Sequence, residues 1–272
     1  MPELNIDEKT GVSYRKWNAP SPKAVLLLVH GLGAHSQRWC FLADFFLKAD
    51  YSSYAIELRG FGQTKGLKGD IESFNIYLDD VRSLCRVIKE ENPGKKIFLI
   101  GESMGALIAF LAAAQSPKLW NGVILLSPVF RSRLKMPTLN YLKIFFSLFY
   151  NSRKQIHIPF DAKMCTRDVA YQKVMDADPL EHRLATARLL LNIASSQIRA
   201  QSLRSAVYAP ILFLLSGKDE LADARASQKF FRGLKAEDKE IIIYPEMRHA
   251  LSIELEREKV FADILKWTEG RA

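Results

Sequence analysis

The stretch that decides the fold is KIFLIGESMGALIAF, residues 96–110, where an aliphatic run is followed by a serine between two glycines. The run before Gly101 predicts a buried strand, and the apolar pattern at Met104–Ala114 predicts a helix directly after it. Ser103 then falls on a sharp turn, where a side chain at Gly101 or Gly105 would collide with strand or helix. This context predicts a nucleophilic Ser103; the alternative is a serine that only caps a glycine-bounded turn.

Five other apolar runs predict further buried strands. They lie at residues 24–30, 54–58, 122–127, 211–217 and 240–245. Near-continuous apolar strands are typical of a parallel sheet covered on both faces, and helical patterns at Phe74–Glu91 and Ile253–Trp267 fit that architecture. Weaker stretches at 4–6 and 12–17 predict a leading hairpin. We therefore predict an α/β fold with a mostly parallel central sheet and helices on both faces.

One long gap interrupts the alternation of strands and helices. More than 80 residues separate the strands predicted at 122–127 and 211–217. The gap predicts a helical cap at residues 129–207, inserted into a core formed by residues 1–128 and 208–272. Within the cap, LNYLKIFFSLFY (139–150) holds nine apolar residues in twelve and is too short to cross a bilayer.

The amino-acid composition limits the classes of protein to which the chain can belong. With 48% apolar and 25% charged residues, the chain is expected to be globular. The amino-terminal MPELNIDEKTGV is acidic and polar where a signal peptide needs a basic start and an apolar stretch, so we expect a cytoplasmic protein. Cys40, Cys85 and Cys165 are widely spaced, without a C-x-x-C pair, and are expected to be reduced and mostly buried.

A nucleophilic serine needs a base to remove its proton and an acid to orient that base, and after such an elbow these follow in the order acid, histidine. Asp219 lies two residues past the strand at 211–217, at a carboxyl end where doubly wound sheets place active groups. The alternative is that Asp219 caps the next helix while Glu220 or Asp223 orients the base. His249, just past the last strand, is the predicted base. The other histidines fit less well: His30 and His35 precede the serine, and His157 and His182 fall in the cap.

Acyl transfer also needs backbone amides aimed at the oxygen of the tetrahedral intermediate. The Met104 amide, next after the serine at a helix start, is one predicted donor. The Leu32 amide, in the loop His30-Gly31-Leu32-Gly33 after the first long strand, is the other. The alternative for this loop is a flexible glycine turn.

Four motifs in the same order resemble the α/β-hydrolase family, and within it the monoacylglycerol lipase and lysophospholipase branch. HGLGAHSQRW (30–39) is similar to the branch's H-G-x-G-x-H-S-x-R-[YW] loop, and GESMG (101–105) to its G-[HE]-S-M-G elbow. MCTRD (164–168) and DPL (178–180) are similar to its cap, and HALSIE (249–254) to its carboxyl-terminal part. Two stretches depart from the branch: ELRGFGQT (57–64) replaces D-x-R-G-H-G-x-S, and Ala106 replaces a common glycine.

The resemblance implies a serine ester hydrolase acting on monoacylglycerol or lysophospholipid through an acyl-enzyme. Ser103 would attack the ester, His249 would shuttle the proton, and Asp219 would hold the imidazole. No metal or organic cofactor is implied. Two alternatives stay open: the same triad acting on small soluble esters or passing the acyl group to another alcohol, and a non-catalytic ligand-binding protein on the same fold.

The resemblance also implies a cap that lines an acyl-chain pocket, and charge suggests what the cap contacts. The net charge is +9, and residues 130–210 contain thirteen Lys and Arg against five Asp and Glu. These bases accompany an apolar helix and no nucleic-acid-binding motif, so we expect no nucleic-acid partner. We hypothesise a transient contact of the cap with an anionic membrane or micelle; the alternative is that its helices bury their apolar faces and its bases are merely solvated. The bases that flank the apolar stretch are Arg131, Arg133, Lys135, Arg153 and Lys154.

Overall fold

The computed structural model describes residues 2–134, 142, 144, 146–147 and 150–272. Most of the apolar stretch at 139–150, and Lys135 beside it, lie outside the described residues. The strands described are β1 (Asn5–Ile6), β2 (Ser13–Trp17), β3 (Ala24–Val29), β4 (Tyr51–Glu57), β5 (Ile97–Glu102), β6 (Gly122–Leu126), β7 (Gln155–His157), β8 (Leu184–Thr186), β9 (Ile211–Ser216) and β10 (Lys239–Tyr244).

Eight strands form one sheet in the order β1-β2-β4-β3-β5-β6-β9-β10, and β7 pairs with β8 separately. The six strands from β4 to β10 in that order run parallel, and β1 and β2 add antiparallel pairs. All residues of β3, β5, β6 and β9 are buried, as expected for parallel strands covered on both faces. The predicted parallel sheet and leading hairpin are therefore confirmed. β4 begins at Tyr51, ahead of the prediction, because two buried serines, Ser52 and Ser53, precede its apolar residues.

The helices described are α1 (Cys40–Leu47), α2 (Phe74–Glu91), α3 (Met104–Gln115), α4 (Ala162–Cys165), α5 (Val169–Ala177), α6 (Ala187–Ser202), α7 (Ala224–Arg232) and α8 (Arg257–Glu269). They cover both faces of the sheet: Val25 and Leu27 of β3 pack into a core with α2 and α3, whereas Leu26 and Leu28 pack into one with α1 and α8. Among the described residues, no helix is both long and apolar enough to cross a bilayer.

The prediction that the closing helix begins at Ile253 is wrong. Leu251–Ile253 form a short 3-10 turn, and α8 begins at Arg257. The reason is Glu254, which is fully buried and accepts backbone hydrogen bonds from Arg248 and Leu255 instead of entering the helix.

Backbone hydrogen bonds anchor the segment between β6 and β9 to the rest of the chain. His182 N donates to Gly33 O at 2.9 Å, Thr186 N to Gly69 O at 2.8 Å, and Ala250 N to Cys165 O at 2.8 Å. Asp70 adds a buried anchor, since its carboxylate accepts from Thr186 and Arg188 on this segment. The segment is thereby held over the carboxyl ends of the parallel strands.

Candidate active site

The turn that carries Ser103 is backbone-strained. Ser103 has φ 59° and ψ −118°, in a region that residues other than glycine rarely adopt. A Cβ atom on Gly101 would lie 2.2 Å from Gly105 O, and one on Gly105 would lie 2.1 Å from Val29 O. The two glycines are therefore required by close backbone approach, as the sequence predicts. Within the described part of the chain, the Ser103 side chain makes no capping hydrogen bond to α3.

The structure brings Asp219 and His249 together. His249 Nδ1 lies 2.9 Å from Asp219 Oδ1 and 2.8 Å from Oδ2, and both side chains are buried. Asp219 Oδ1 also accepts the backbone N–H groups of Leu221 and Ala222, each at 2.8 Å. These two bonds fix the carboxylate, which in turn holds the imidazole with Nδ1–H as donor. The His249 Nε2 atom is thereby left to accept a proton.

The alternative acids occupy other positions. Asp223 caps α7 by accepting the backbone N–H of Ala226 at 3.0 Å, and Glu220 is exposed to solvent. Asp223 therefore caps α7, and Asp219 is the aspartate that contacts His249.

The surroundings of His249 set its proton affinity. Burial lowers the pKa of its imidazole, but the charge of Asp219 and the hydrogen bond between them outweigh burial and raise the pKa above its ordinary value, with a further contribution from Glu102. A base of raised pKa is well suited to holding a proton taken from a serine.

The loop after β3 lies against the elbow. A Cβ atom on Gly31 would be 3.0 Å from Ser103 Cβ, and Leu32 and Met104 line the same cavity as Ser103. His30 shapes this loop: its Nδ1–H donates to Gly31 O at 2.9 Å, and its Nε2 accepts from Leu58 N at 3.1 Å. Burial lowers the pKa of His30 to about 4, so the ring is neutral and serves as a structural connection.

Ser103 and His249 both line a cavity with a volume of about 420 Å³. Much of its wall is apolar and comes from the segment between β6 and β9. The apolar wall on that side consists of Val129, Leu134, Ile144, Ile158, Phe160, Leu190, Leu191, Ile193 and Ala194. One part of the wall is polar, with Arg38 and Glu102 near the serine. The cavity therefore offers a large apolar region beside a small polar one.

Several polar residues of this cavity were not identified by sequence reasoning. Arg38 is buried and paired with the buried Glu181, and Glu102 accepts two hydrogen bonds from Ser252. Arg38, Glu102 and Ser252 lie inside motifs that the sequence analysis identified, but their partners come from distant segments of the chain. Among the described residues, no group of three or more His, Cys, Asp or Glu side chains is arranged to hold a metal ion.

Comparison with known proteins gives the family. A family model described as serine aminopeptidase, S33, matches residues 20–256. The chain belongs to this family. Human monoglyceride lipase is 28% identical over 259 residues, which cover 92% of this chain and 84% of the relative. The Bacillus subtilis phospholipase YtpA is 26% identical over 260 residues, which cover 93% of this chain and 98% of that protein.

Solved structures show the same fold. The Paleococcus ferrophilus monoacylglycerol lipase superposes with a TM-score of 0.87 at 25% identity, covering 96% of this chain and 99% of that one. A soluble variant of the Saccharomyces cerevisiae monoglyceride lipase, solved with a substrate analogue, has the same fold, with a TM-score of 0.87 at 24% identity and coverage of 100% and 96%. The predicted α/β-hydrolase fold and the resemblance to the monoacylglycerol lipase branch are confirmed.

Proposed function

We propose that the protein is a serine ester hydrolase that cleaves single-chain lipid esters, monoacylglycerols or lysophospholipids, through an acyl-enzyme. The observation that carries this proposal is the cavity, in which Ser103 and the Asp219-bound His249 face a largely apolar wall. A fatty-acyl chain is the ligand that such a wall would stabilise by burial. The lipase and phospholipase relatives support the same substrate class.

Each residue then has a role. His249 Nε2 takes the proton of Ser103 as Oγ attacks the ester carbonyl, and Asp219 stabilises the imidazolium that forms. The amides of Leu32 and Met104 stabilise the oxyanion. His249 next protonates the leaving alcohol, and the same steps with water release the fatty acid and restore Ser103.

We further propose the division into a core of residues 1–128 and 208–272 and a cap of residues 129–207 that supplies the acyl-chain wall. The cap also supports the membrane hypothesis. Leu142, Phe146 and Tyr150 are each helical and exposed, Tyr150 to 88%, and are spaced by four residues in the sequence. Arg153 and Lys154 follow a few residues later and are exposed, and Arg153 Nε lies 3.5 Å from the carboxylate of the buried Asp70. Exposed apolar residues at helical spacing, followed by cations, fit the interface of an anionic bilayer.

The catalytic proposal is tested with p-nitrophenyl esters of two to sixteen carbons. We expect hydrolysis that favours medium or long chains, and a loss of activity of at least about a thousandfold in Ser103→Ala. Unchanged activity in this variant would reject the assignment of the nucleophile, and a preference for two-carbon esters would reject the lipid substrate. An added acceptor alcohol separates hydrolysis from acyl transfer, because only transfer yields a new ester.

The membrane proposal is tested by sedimentation with vesicles. We expect stronger binding to anionic than to neutral vesicles at low salt, weakening as salt increases. Lys154→Glu should reduce that binding, whereas Lys9→Glu, at an exposed basic site remote from the cap in sequence, serves as the matched charge control. Equal binding to both vesicle types refutes the electrostatic part.

A further inference from the structure

Glu102 places a buried carboxyl group next to the proposed nucleophile. It is the last residue of β5, directly before Ser103, and its side chain is only 4% exposed while lining the cavity. Its carboxylate oxygens are both engaged: Oε1 accepts from Ser252 N at 3.0 Å, and Oε2 accepts from Ser252 Oγ at 2.8 Å. A buried carboxylate with two fixed donors is an anchor rather than a solvated surface group.

The partner of this carboxylate lies on the turn that carries the base. Ser252 belongs to the 3-10 turn Leu251–Ile253, which begins two residues after His249. The residues before and after His249 are held differently: Ser216 Oγ donates to Arg248 O at 2.6 Å, and Ala250 N donates to Cys165 O. The bonds from Ser252 to Glu102 thus tie this turn directly to the strand of the nucleophile.

We propose, on the basis of the proposed hydrolase function, that Glu102 is a positioning residue. Through Ser252 it holds the His249 turn against the Ser103 elbow, and its carboxylate places a second negative charge beside the imidazole. The mechanism described above assigns no role to this side chain. Nucleophile and base come from segments about 150 residues apart, and Glu102 joins those segments one residue away from the nucleophile.

The charged groups around His249 determine how the Glu102 carboxylate acts on the imidazole. His249 is faced by Asp219, Glu102 and Arg38, and the Arg38 guanidinium is itself paired with Glu181. Burial raises the pKa of the Glu102 carboxyl. The hydrogen bonds from Ser252 and the charges of Arg38 and His249 lower this pKa, but they do not outweigh burial. When ionised, Glu102 supports the protonated imidazole in the same direction as Asp219.

Three variants separate the effect of the Glu102 charge on His249 from the effect of the connection between Glu102 and Ser252. Glu102→Gln keeps an oxygen for Ser252 N, and the serine hydroxyl can turn to accept from its amide, so this variant removes charge while keeping the connection. Ser252→Ala removes one of the two bonds and leaves the charge. Glu102→Ala removes both bonds and the charge. Ser52→Ala is the matched control for losing a buried hydroxyl, because Ser52 lies near the amino end of β4 and accepts a bond from Ala19 N.

With p-nitrophenyl butyrate as substrate, we expect Glu102→Gln to keep the plateau kcat and to move the acidic limb of kcat/KM to lower pH. Glu102→Ala is expected to lose about a hundredfold in kcat, the cost of an active-site displacement near 1 Å, with a much smaller change in KM. Ser252→Ala should lose less kcat than Glu102→Ala does. Its acidic limb of kcat/KM should stay at the wild-type pH. Ser52→Ala should match the wild type in kcat and in pH profile.

Titration of the His249 imidazole by NMR gives a readout that needs no turnover. A lower imidazole pKa in Glu102→Gln supports the charge effect even if the wild type hydrolyses no lipid ester, an outcome that would reject only the proposed function. The inference is overturned if Glu102→Gln and Ser252→Ala both keep the wild-type kcat and pH profile. It is overturned equally if Glu102→Ala loses thermal stability while its folded fraction turns over at the wild-type rate.

Discussion

The Asp219–His249 pair allows a sharp prediction for Asp219→Asn. Asp219 Oδ1 accepts the N–H groups of Leu221 and Ala222, each at 2.8 Å, besides facing His249. The only acceptor of an asparagine side chain is its carbonyl oxygen, and those two N–H donors will retain it. The amide NH₂ group must then point at His249 Nδ1. The ring can accept this bond only as the tautomer with its proton on Nε2, which is unable to take the proton of Ser103.

We therefore expect Asp219→Asn to fold normally and to lose about 10⁴ in kcat, the cost of the wrong histidine tautomer. At about 1.36 kcal/mol for each factor of ten, this is about 5.4 kcal/mol of transition-state stabilisation. The assay is ester hydrolysis at saturating substrate, with thermal unfolding to check the fold. Asp223→Asn is the matched control, because asparagine also caps helices and should preserve both activity and stability. A kcat within tenfold of wild type in Asp219→Asn would refute the reasoning.

Three further predictions concern the base, the elbow and the anchor of the inserted segment. Since His249 must be neutral to act and its pKa is raised, kcat/KM should fall on acidification with an apparent pKa above about 6.5, the ordinary value, as a pH profile will show. Gly105→Ala places a Cβ atom 2.1 Å from the carbonyl oxygen at the end of β3, and urea unfolding should show about 1–3 kcal/mol of destabilisation. Asp70→Ala leaves Arg188 without its partner and should cost about 2 kcal/mol by the same measurement, whereas removal of the exposed Asp79 should cost under about 1 kcal/mol.

Local signals were sufficient for most of the fold. The parallel strands are buried on both faces, so their sequences are nearly continuous apolar runs, and α2 spans the predicted residues because its apolar face repeats with helical spacing. The prediction failed where a polar residue is buried for a tertiary reason, as at Glu254, whose carboxylate ends the turn before α8. β7 and β8 were not predicted, since three-residue strands are too short to give a periodic signal.

The candidate site could be predicted to the level of residue type and order. The elbow is local, so Ser103 follows from its two glycines, whereas Asp219 and His249 follow only from the order that the chemistry requires. Their contact and the separate capping role of Asp223 depend on the structure. Glu102 shows the limit most clearly: Glu102 and its partner Ser252 stand in two motifs far apart in sequence, and neither motif indicates that these side chains are in contact.

The segment between β6 and β9 contributes to the frame of the site as well as to its apolar wall. Residues 178–182 contact the loop after β3 at three points. Asp178 Oδ2 lies 2.9 Å from His35 Nε2, Glu181 pairs with Arg38, and His182 N donates to Gly33 O. Gly33 has φ 79°, and a Cβ atom there would lie 2.5 Å from His182 O, so the two backbones are in direct contact. The same loop carries the Leu32 amide of the proposed oxyanion hole. Because preorganised donors act only when held in place, we propose that this segment supports the rate of the chemical step as well as the binding of an acyl chain.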